Sequence, residues 1–302
     1  MTDWELDPDF PFGTQGAKPK SILLSPVAPP HDFLIGGHRY LFKWAASDRE
    51  HAQIWSEIIA YEIGKLVGVP VPPAFLAYDA QNRRIGVLIE FFYGHPGQIG
   101  ADRFVHAIER LKGTGVQVDF RCGSLRDNIW LTRGHKVSYW KRWWAETLAF
   151  DALISNQDRH SENWGFLITT PTGEPVTYDL APAFDNGSSL GWQVQDSDLE
   201  RFLEPNRVTR FVTRGRHHCG WMSGDLESAN HVKLCNKFLE LYGEGSETMR
   251  RVIQLDDSQI TELMDWAKSF DAEAEFSERR AEFVATLLRL KRESLAEAIG
   301  RM

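Results

Sequence analysis

The sequence predicts an α+β chain in two lobes, a small β-rich N-terminal lobe over residues 1–93 and a larger helical C-terminal lobe over 94–302. Three observations predict this. Apolar alternation at period two, the mark of a half-buried strand, is found in segment 38–44, and 83–92 reads as a buried strand. Helical periodicity dominates beyond residue 140. The length of 302 residues, with 42% hydrophobic residues and 11 tryptophans, suffices for two lobes around a sizeable core.

Taken in order, segment 12–24 is a glycine-containing turn, with Gly13, Thr14, Gln15 and Gly16, that runs into an apolar strand. Glycines let backbone N–H groups approach an anion closely, although an ordinary hairpin turn has the same composition. Segment 38–44 alternates and ends in Lys43-Trp44. Ser47-Asp48-Arg49-Glu50 then has the form of a capping box opening a helix that runs to about Val67, with Gly68 as its stop and Pro70 beyond. Ile54, Ile58, Tyr61 and Leu66 supply much of its apolar stripe. Segment 83–92 is a buried strand, and 94–118 and 193–207 show less regularity.

A helix over 141–156 begins beside Trp140, Trp143 and Trp144, which read as core because no basic groove interleaves with them. Segments 164–168 and 175–178 form a strand and its return. Further helices are expected at 226–242, 258–269 and 272–300, the last carrying Phe276, Phe283, Leu287 and Leu290 at helical spacing. The stretch holding Arg207, Arg210, Arg214, Arg216, His217 and His218 reads as a solvated strand and loop, or else as a docking surface for an anionic or phosphorylated partner.

The most informative segment is Asn156-Gln157-Asp158-Arg159-His160-Ser161-Glu162-Asn163. An Asn five positions after an Asp has the spacing of a kinase catalytic loop, where the Asp accepts the proton of the attacking hydroxyl and the Asn holds magnesium. Turn chemistry alone also collects Asp, Asn and Ser, so the spacing by itself is a weak signal. What strengthens it is a second acidic position, Asp185, after the strand and its return, since a hairpin carries Asn163 and Asp185 to the same end of a site.

N-Q-D-R-H-S-E-N-W-G-F followed by L-A-P-A-F-D-N-G-S-S-L resembles the HipA-type Ser/Thr kinases. That resemblance runs from Gly13 to about Leu190 and implies a two-lobed protein-kinase-like fold using ATP and Mg²⁺. It implies Asp158 as the catalytic aspartate and Asn163 and Asp185 as metal ligands, with Asp179 competing for the last role. His160 matches the family's loop histidine beside the nucleotide, where a structural role fits best. Gly16-Ala17-Lys18-Pro19-Lys20 resembles the close of the family's phosphate loop, so Gly13, Thr14, Gln15 and Gly16 are expected at the nucleotide. Lys43 is expected to grip its phosphates. Glu57 is assigned to pair with Lys43, with Glu62 as fallback, and Glu90 and Phe92 are expected to offer main-chain contacts to adenine.

Two departures from the family stand out. The chain starts almost at the phosphate loop, as in short HipA-like kinases. The position of the family's regulatory serine is Gly13, with Thr14 the nearest hydroxyl, which leaves inhibition by loop autophosphorylation without its residue. The resemblance further implies a toxin of a toxin–antitoxin system, a protein substrate such as an aminoacyl-tRNA synthetase, and a helix-turn-helix antitoxin partner. A small-molecule kinase of the aminoglycoside-phosphotransferase kind and a pseudokinase acting as a binding module are the alternatives.

Composition limits the remaining classes. A net charge of −8 argues against direct nucleic-acid binding. No apolar run spans a membrane, the acidic start is unlike a secretion signal, and three scattered cysteines suit a reducing cytoplasm. His217, His218 and Cys219 lack a second ligand pair at metal spacing, so no zinc site is expected there.

Overall fold

The computed structural model describes residues 1, 3–10, 19–115, 124–222, 225 and 229–300. The chain folds as α+β, with the sheet first and the helices after it. Strands β1 (Glu5–Leu6), β2 (Lys20–Leu24), β3 (Arg39–Trp44), β4 (Ala74–Asp79) and β5 (Arg84–Glu90) form an antiparallel sheet in the order β1-β2-β3-β5-β4. Helix α1 (His51–Val67) packs on β4 and β5. Alternation along β3 decides what faces that helix. Tyr40 and Phe42 enter a small cluster with Ala77 and Leu88 on one side, so Leu41 and Lys43 point to the other, toward the main core.

Beyond the sheet lie β6 (Arg103–His106), α2 (Ala107–Gly113), α3 (Leu125–Gly134) and α4 (Trp140–Leu153). Strands β7 (Gly165–Thr169) and β8 (Thr177–Leu180) join β6 in a second antiparallel sheet of order β6-β7-β8. The remaining helices are α5 (Leu199–Phe202), α6 (Pro205–Arg214), α7 (His231–Leu241), α8 (Gly245–Val252), α9 (Asp257–Lys268) and α10 (Glu278–Gly300). None is long and apolar enough to cross a membrane.

Trp143, Trp144 and Trp164 are core, whereas Trp140 is only half-buried, and each of the three buried indole N–H groups has an acceptor, as a buried amphipathic ring requires. Trp143 donates to the Ala181 carbonyl, Trp144 to Thr132 and Trp164 to Asn128. The main core is continuous from α1 to α10, so the two halves of the chain share one interior. Trp55 of α1 packs on Phe270 and Phe276 and donates to the Ala274 carbonyl at 2.8 Å. Arg251 of α8 caps the other end of α1 by donating to the carbonyls of Val67 and Gly68. Gly68 itself ends that helix in the left-handed conformation, φ 67°, which glycine adopts without a Cβ penalty.

Several sequence expectations are corrected. The capping box at Ser47 is incomplete: Ser47 makes no side-chain cap bond, and Glu50 reaches back to the Ala46 N–H at 2.8 Å. A single 3₁₀ turn over Asp48–Glu50 precedes α1, which explains the mismatch, because the box geometry belongs to an α-turn. The last helix starts at Glu278 rather than 272, since the chain first lays Ala274 and Phe276 against Trp55. The helix expected over 226–242 is α7, starting at His231 with Asn230 as its N-cap; residues 226–228 lie outside the described set. Segments 94–118 and 193–207, which showed little regularity, contain β6, α2, α5 and the start of α6. The arginine stretch is likewise not a strand: Arg207, Arg210 and Arg214 lie on α6, with Pro205 in its first turn.

Candidate active site

Three segments distant in sequence meet at Lys43. Its Nζ lies 2.7 Å from Glu57 Oε1 and 2.7 Å from Asp185 Oδ1. Burial alone would push the ammonium down in pKa, but the two carboxylates more than reverse this and raise it, so Lys43 is charged throughout the physiological range. Glu57 is 4% exposed, and its second oxygen accepts the Asn186 N–H at 2.8 Å. One carboxylate therefore ties β3 to the loop that carries Asp185. Glu62 is elsewhere, paired with Lys65 at 2.7 Å.

Asp185 adopts φ 60°, a left-handed conformation that Asp tolerates better than most residues. Asp179 is exposed on β8 and accepts from the Tyr139 hydroxyl, with no contact to Lys43. Of the two competing aspartates, Asp185 is the one the fold brings to the lysine.

The loop after α4 presents Asp158 and Asn163. Asn163 donates its amide N–H to the Asp158 carbonyl at 2.7 Å, which leaves the amide oxygen as the donor atom for a cation. His160 accepts the Glu162 N–H at Nδ1, so its proton sits on Nε2, 3.4 Å from Asp158 Oδ1. Burial lowers the His160 pKa, more than the neighbouring Asp158 raises it. The imidazole is thus a neutral prop for the loop and orients the Asp158 carboxylate.

Arg159 holds this loop to the Asp185 loop. Its guanidinium is buried and pairs with Asp151 of α4 at 2.9 Å, both side chains being 1% exposed. It also donates to the carbonyls of Asn163 and Phe184 and to Asn186 Oδ1, the last at 2.6 Å. Asp151 in turn accepts from Asn156 at 3.0 Å. Sequence reading passed over Arg159 and Asp151 as ordinary loop and helix residues. Their one sequence signal was an Asp on an otherwise apolar stretch of helix, Leu148 to Leu153.

The expected phosphate-loop residues Gly13, Thr14, Gln15 and Gly16 lie outside the described residues. The strand they enter is described: Lys20, the first residue of β2, stands directly across from Lys43. At the end of β5 the Glu90 N–H donates to the Pro73 carbonyl and the Phe91 N–H to the Arg39 carbonyl. Among the described residues the Phe92 N–H has no acceptor. The Phe92 ring stacks on Phe184 at 5.3 Å and meets Phe104 edge-on at 5.2 Å, which places an apolar wall beside Asp185.

A family model described as the HipA-like C-terminal domain matches residues 12–254, more than half of the chain. The chain belongs to that family. A 53-residue segment is 43% identical to the serine/threonine-protein kinase CtkA of Helicobacter pylori, covering 18% of this chain and 15% of that relative. Over the full length the fold is similar to the crystal structure of the H. pylori proinflammatory kinase CtkA. That match has a TM-score of 0.74 at 19% identity and covers 100% of this chain and 98% of the other. It is also similar to the Shewanella oneidensis toxin HipA, solved with HipB and operator DNA. There the TM-score is 0.55 at 16% identity, over 97% of this chain and 66% of the HipA chain.

In this family member the arginine stretch separates into three environments. Arg207, Arg210 and Arg214 line a cavity of about 380 Å³ with Gln157, Phe202 and Phe211, immediately beside the Asp158 loop. His217 is buried, and burial lowers its pKa to about 4. His218 donates its backbone N–H to the Gln157 carbonyl, and its Nδ1 lies 3.5 Å from Asp158 Oδ1. That second imidazole at the aspartate was not foreseen.

Proposed function

We propose that the chain is an ATP- and Mg²⁺-dependent protein kinase acting on Ser or Thr hydroxyls. The observation that carries this reading is Lys43 held between buried Glu57 and Asp185, next to a loop that presents Asp158 and Asn163. Nucleotide triphosphate chemistry needs a fixed cation, a metal-ligating pair and a base, and these residues supply one of each. The donor set fits magnesium: the Asn163 amide oxygen and the partly exposed Asp185 carboxylate are hard oxygen ligands. When bound there, the ion neutralises phosphate charge and so makes the terminal phosphoryl group reactive.

The chain's own residues do the rest. Lys43 supplies a permanent positive charge for phosphate oxygens, and Glu57 keeps it on the correct side of β3. The Asp158 carboxylate, steadied by His160 and flanked by His218, accepts the proton of the incoming hydroxyl. Arg159 fixes the separation of the Asp158 and Asp185 loops, so the base and the metal ligands stay in register. Phe92 and Phe184 offer an apolar wall, and the Phe92 N–H a donor, for the adenine base.

The arginine-lined cavity beside Gln157 supports an acidic or phosphorylated protein substrate over a small sugar. An aminoacyl-tRNA synthetase and a helix-turn-helix antitoxin partner remain proposals drawn from the family, as does action in the cytoplasm. Purified protein incubated with γ-labelled ATP, Mg²⁺ and a host lysate tests the reading. Label is expected on Ser or Thr of protein, absent with Asp158→Asn. Label confined to small molecules would replace it with the aminoglycoside-type reading. In a bacterium lacking any partner, induction is expected to stop growth only when Asp158 is intact, whereas normal growth with active protein would remove the toxin part.

A further inference from the structure

A second group of titratable residues lies at the end of β5, away from the Asp158 loop in sequence and unused by the proposed chemistry. His38 precedes β3, Glu90 ends β5, and His95 follows four residues after Phe91. Each offers a donor atom within 4.8 Å of the other two. His38 is 1% exposed. Its Nε2 lies 2.7 Å from the Phe91 carbonyl, and a carbonyl only accepts, so Nε2 carries the proton and Nδ1 the lone pair. Among the described residues that Nδ1 is buried without a hydrogen-bond partner. The His95 ring stacks on His38 at 4.4 Å and 15°, with Nε2 3.4 Å from Glu90 Oε1. The other Glu90 oxygen receives the Tyr40 hydroxyl at 3.4 Å.

An ordinary polar cluster would give the His38 lone pair a donor, since a buried acceptor left bare loses its hydration without return. Here the rest of the ring is arranged as metal-bound histidines are, with one nitrogen proton fixed by a backbone carbonyl and the other nitrogen bare. The local charge also suits a cation. The neighbouring guanidinium of Arg39 is engaged by Asp7 and Asp9. Donor atoms within 4.8 Å reach the roughly 3.4 Å edge of a tetrahedron by side-chain rotation of Glu90 and His95, both partly exposed.

We propose that His38, Glu90 and His95 form a binding site for a transition-metal dication of the zinc class, with a fourth position open to water. Two imidazoles and one carboxylate favour Zn²⁺ or Co²⁺ over Mg²⁺, which takes oxygen ligands. The ion would join the residue before Phe91 to one beyond it, bracing the segment where β5 leaves the sheet.

Tag-free, chelator-stripped full-length protein titrated with Co²⁺ alone tests this. The expected result is one equivalent bound with the strong visible d–d bands of a four-coordinate nitrogen-containing site, displaced by Zn²⁺. His95→Ala and Glu90→Gln, at partly exposed positions, are each expected to weaken binding by roughly a hundredfold or more, because loss of an outer-shell partner alone costs about 10–100-fold. Asp185→Ala is expected to leave the bands unchanged, which separates this site from the proposed magnesium ligands. Weak six-coordinate bands only, bands surviving in both His95→Ala and Glu90→Gln, or bands lost in Asp185→Ala would each overturn the assignment.

Discussion

Replacing Arg159 with Met removes the buried charge that ties α4 to both active-site loops. Arg159 and Asp151 are each 1% exposed, so the single variant strands a carboxylate in a low-dielectric interior. Breaking such a pair by removing one partner costs about 3–5 kcal/mol. The Asn163 and Phe184 carbonyls also lose their shared donor, and Asn186 Oδ1 loses a 2.6 Å bond. At roughly 2 °C per kcal/mol for a chain of this size, the melting temperature should fall by about 6–10 °C. The double variant Asp151→Leu, Arg159→Met removes both charges and should be no less stable than the single one, because the stranded carboxylate is gone. Phosphoryl transfer should stay low in both, since neither re-joins the two loops. Denaturant unfolding followed by tryptophan fluorescence, with a transfer assay in parallel, measures both quantities. A single-variant loss under about 1 kcal/mol, additive losses in the double variant, or full activity in the double variant would refute the reasoning.

Three further outcomes are expected. Asp158→Asn should leave Mg²⁺-dependent ATP binding intact while abolishing transfer, whereas Asp185→Ala should weaken both; isothermal titration would contradict this by showing equal binding in the two variants. Acid should destabilise the fold through His217, whose folded pKa of about 4 lies below the ordinary 6.5. The unfolded chain therefore binds the proton first, and about 2 kcal/mol is lost between pH 7 and pH 5, with buried His231 acting in the same direction. His217→Asn should flatten that slope in denaturation curves. Lys291→Met should stabilise the protein at pH 7, because burial lowers the lysine to about 8 and the cost is fully present below that value. The expected gain is about 2 kcal/mol after roughly 1 is given back for the bond to His231, and it should vanish as pH approaches 10.5; a gain that grows with pH would contradict this sign.

Part of this protein was determined by sequence on its own. Period-two alternation put Lys43 on the face of β3 that looks toward α1, and Gly68 stopped that helix where a left-handed residue was needed. The spacing of Asp158 and Asn163 fixed them on one loop, because five residues of chain cannot separate far. These are short-range matters, governed by backbone sterics and by which side of a strand a residue occupies. The partner of a buried charge is not short-range. Asp185 lies 142 positions from Lys43, and nothing local to either names the other. Sequence preferred Asp185 to Asp179 only through the Leu180-Ala181-Pro182 before it, and the fold turned Asp179 toward Tyr139 and brought Asp185, in its left-handed conformation, to the lysine. Arg159 resembled any loop arginine, and only the packing of α4 beneath two loops gave its five donors their acceptors. His218 reached Asp158 because the segment after α6 pairs its backbone with Gln157. Tertiary structure decided these contacts because a buried polar group takes whatever partner the packing of distant elements leaves within hydrogen-bond reach.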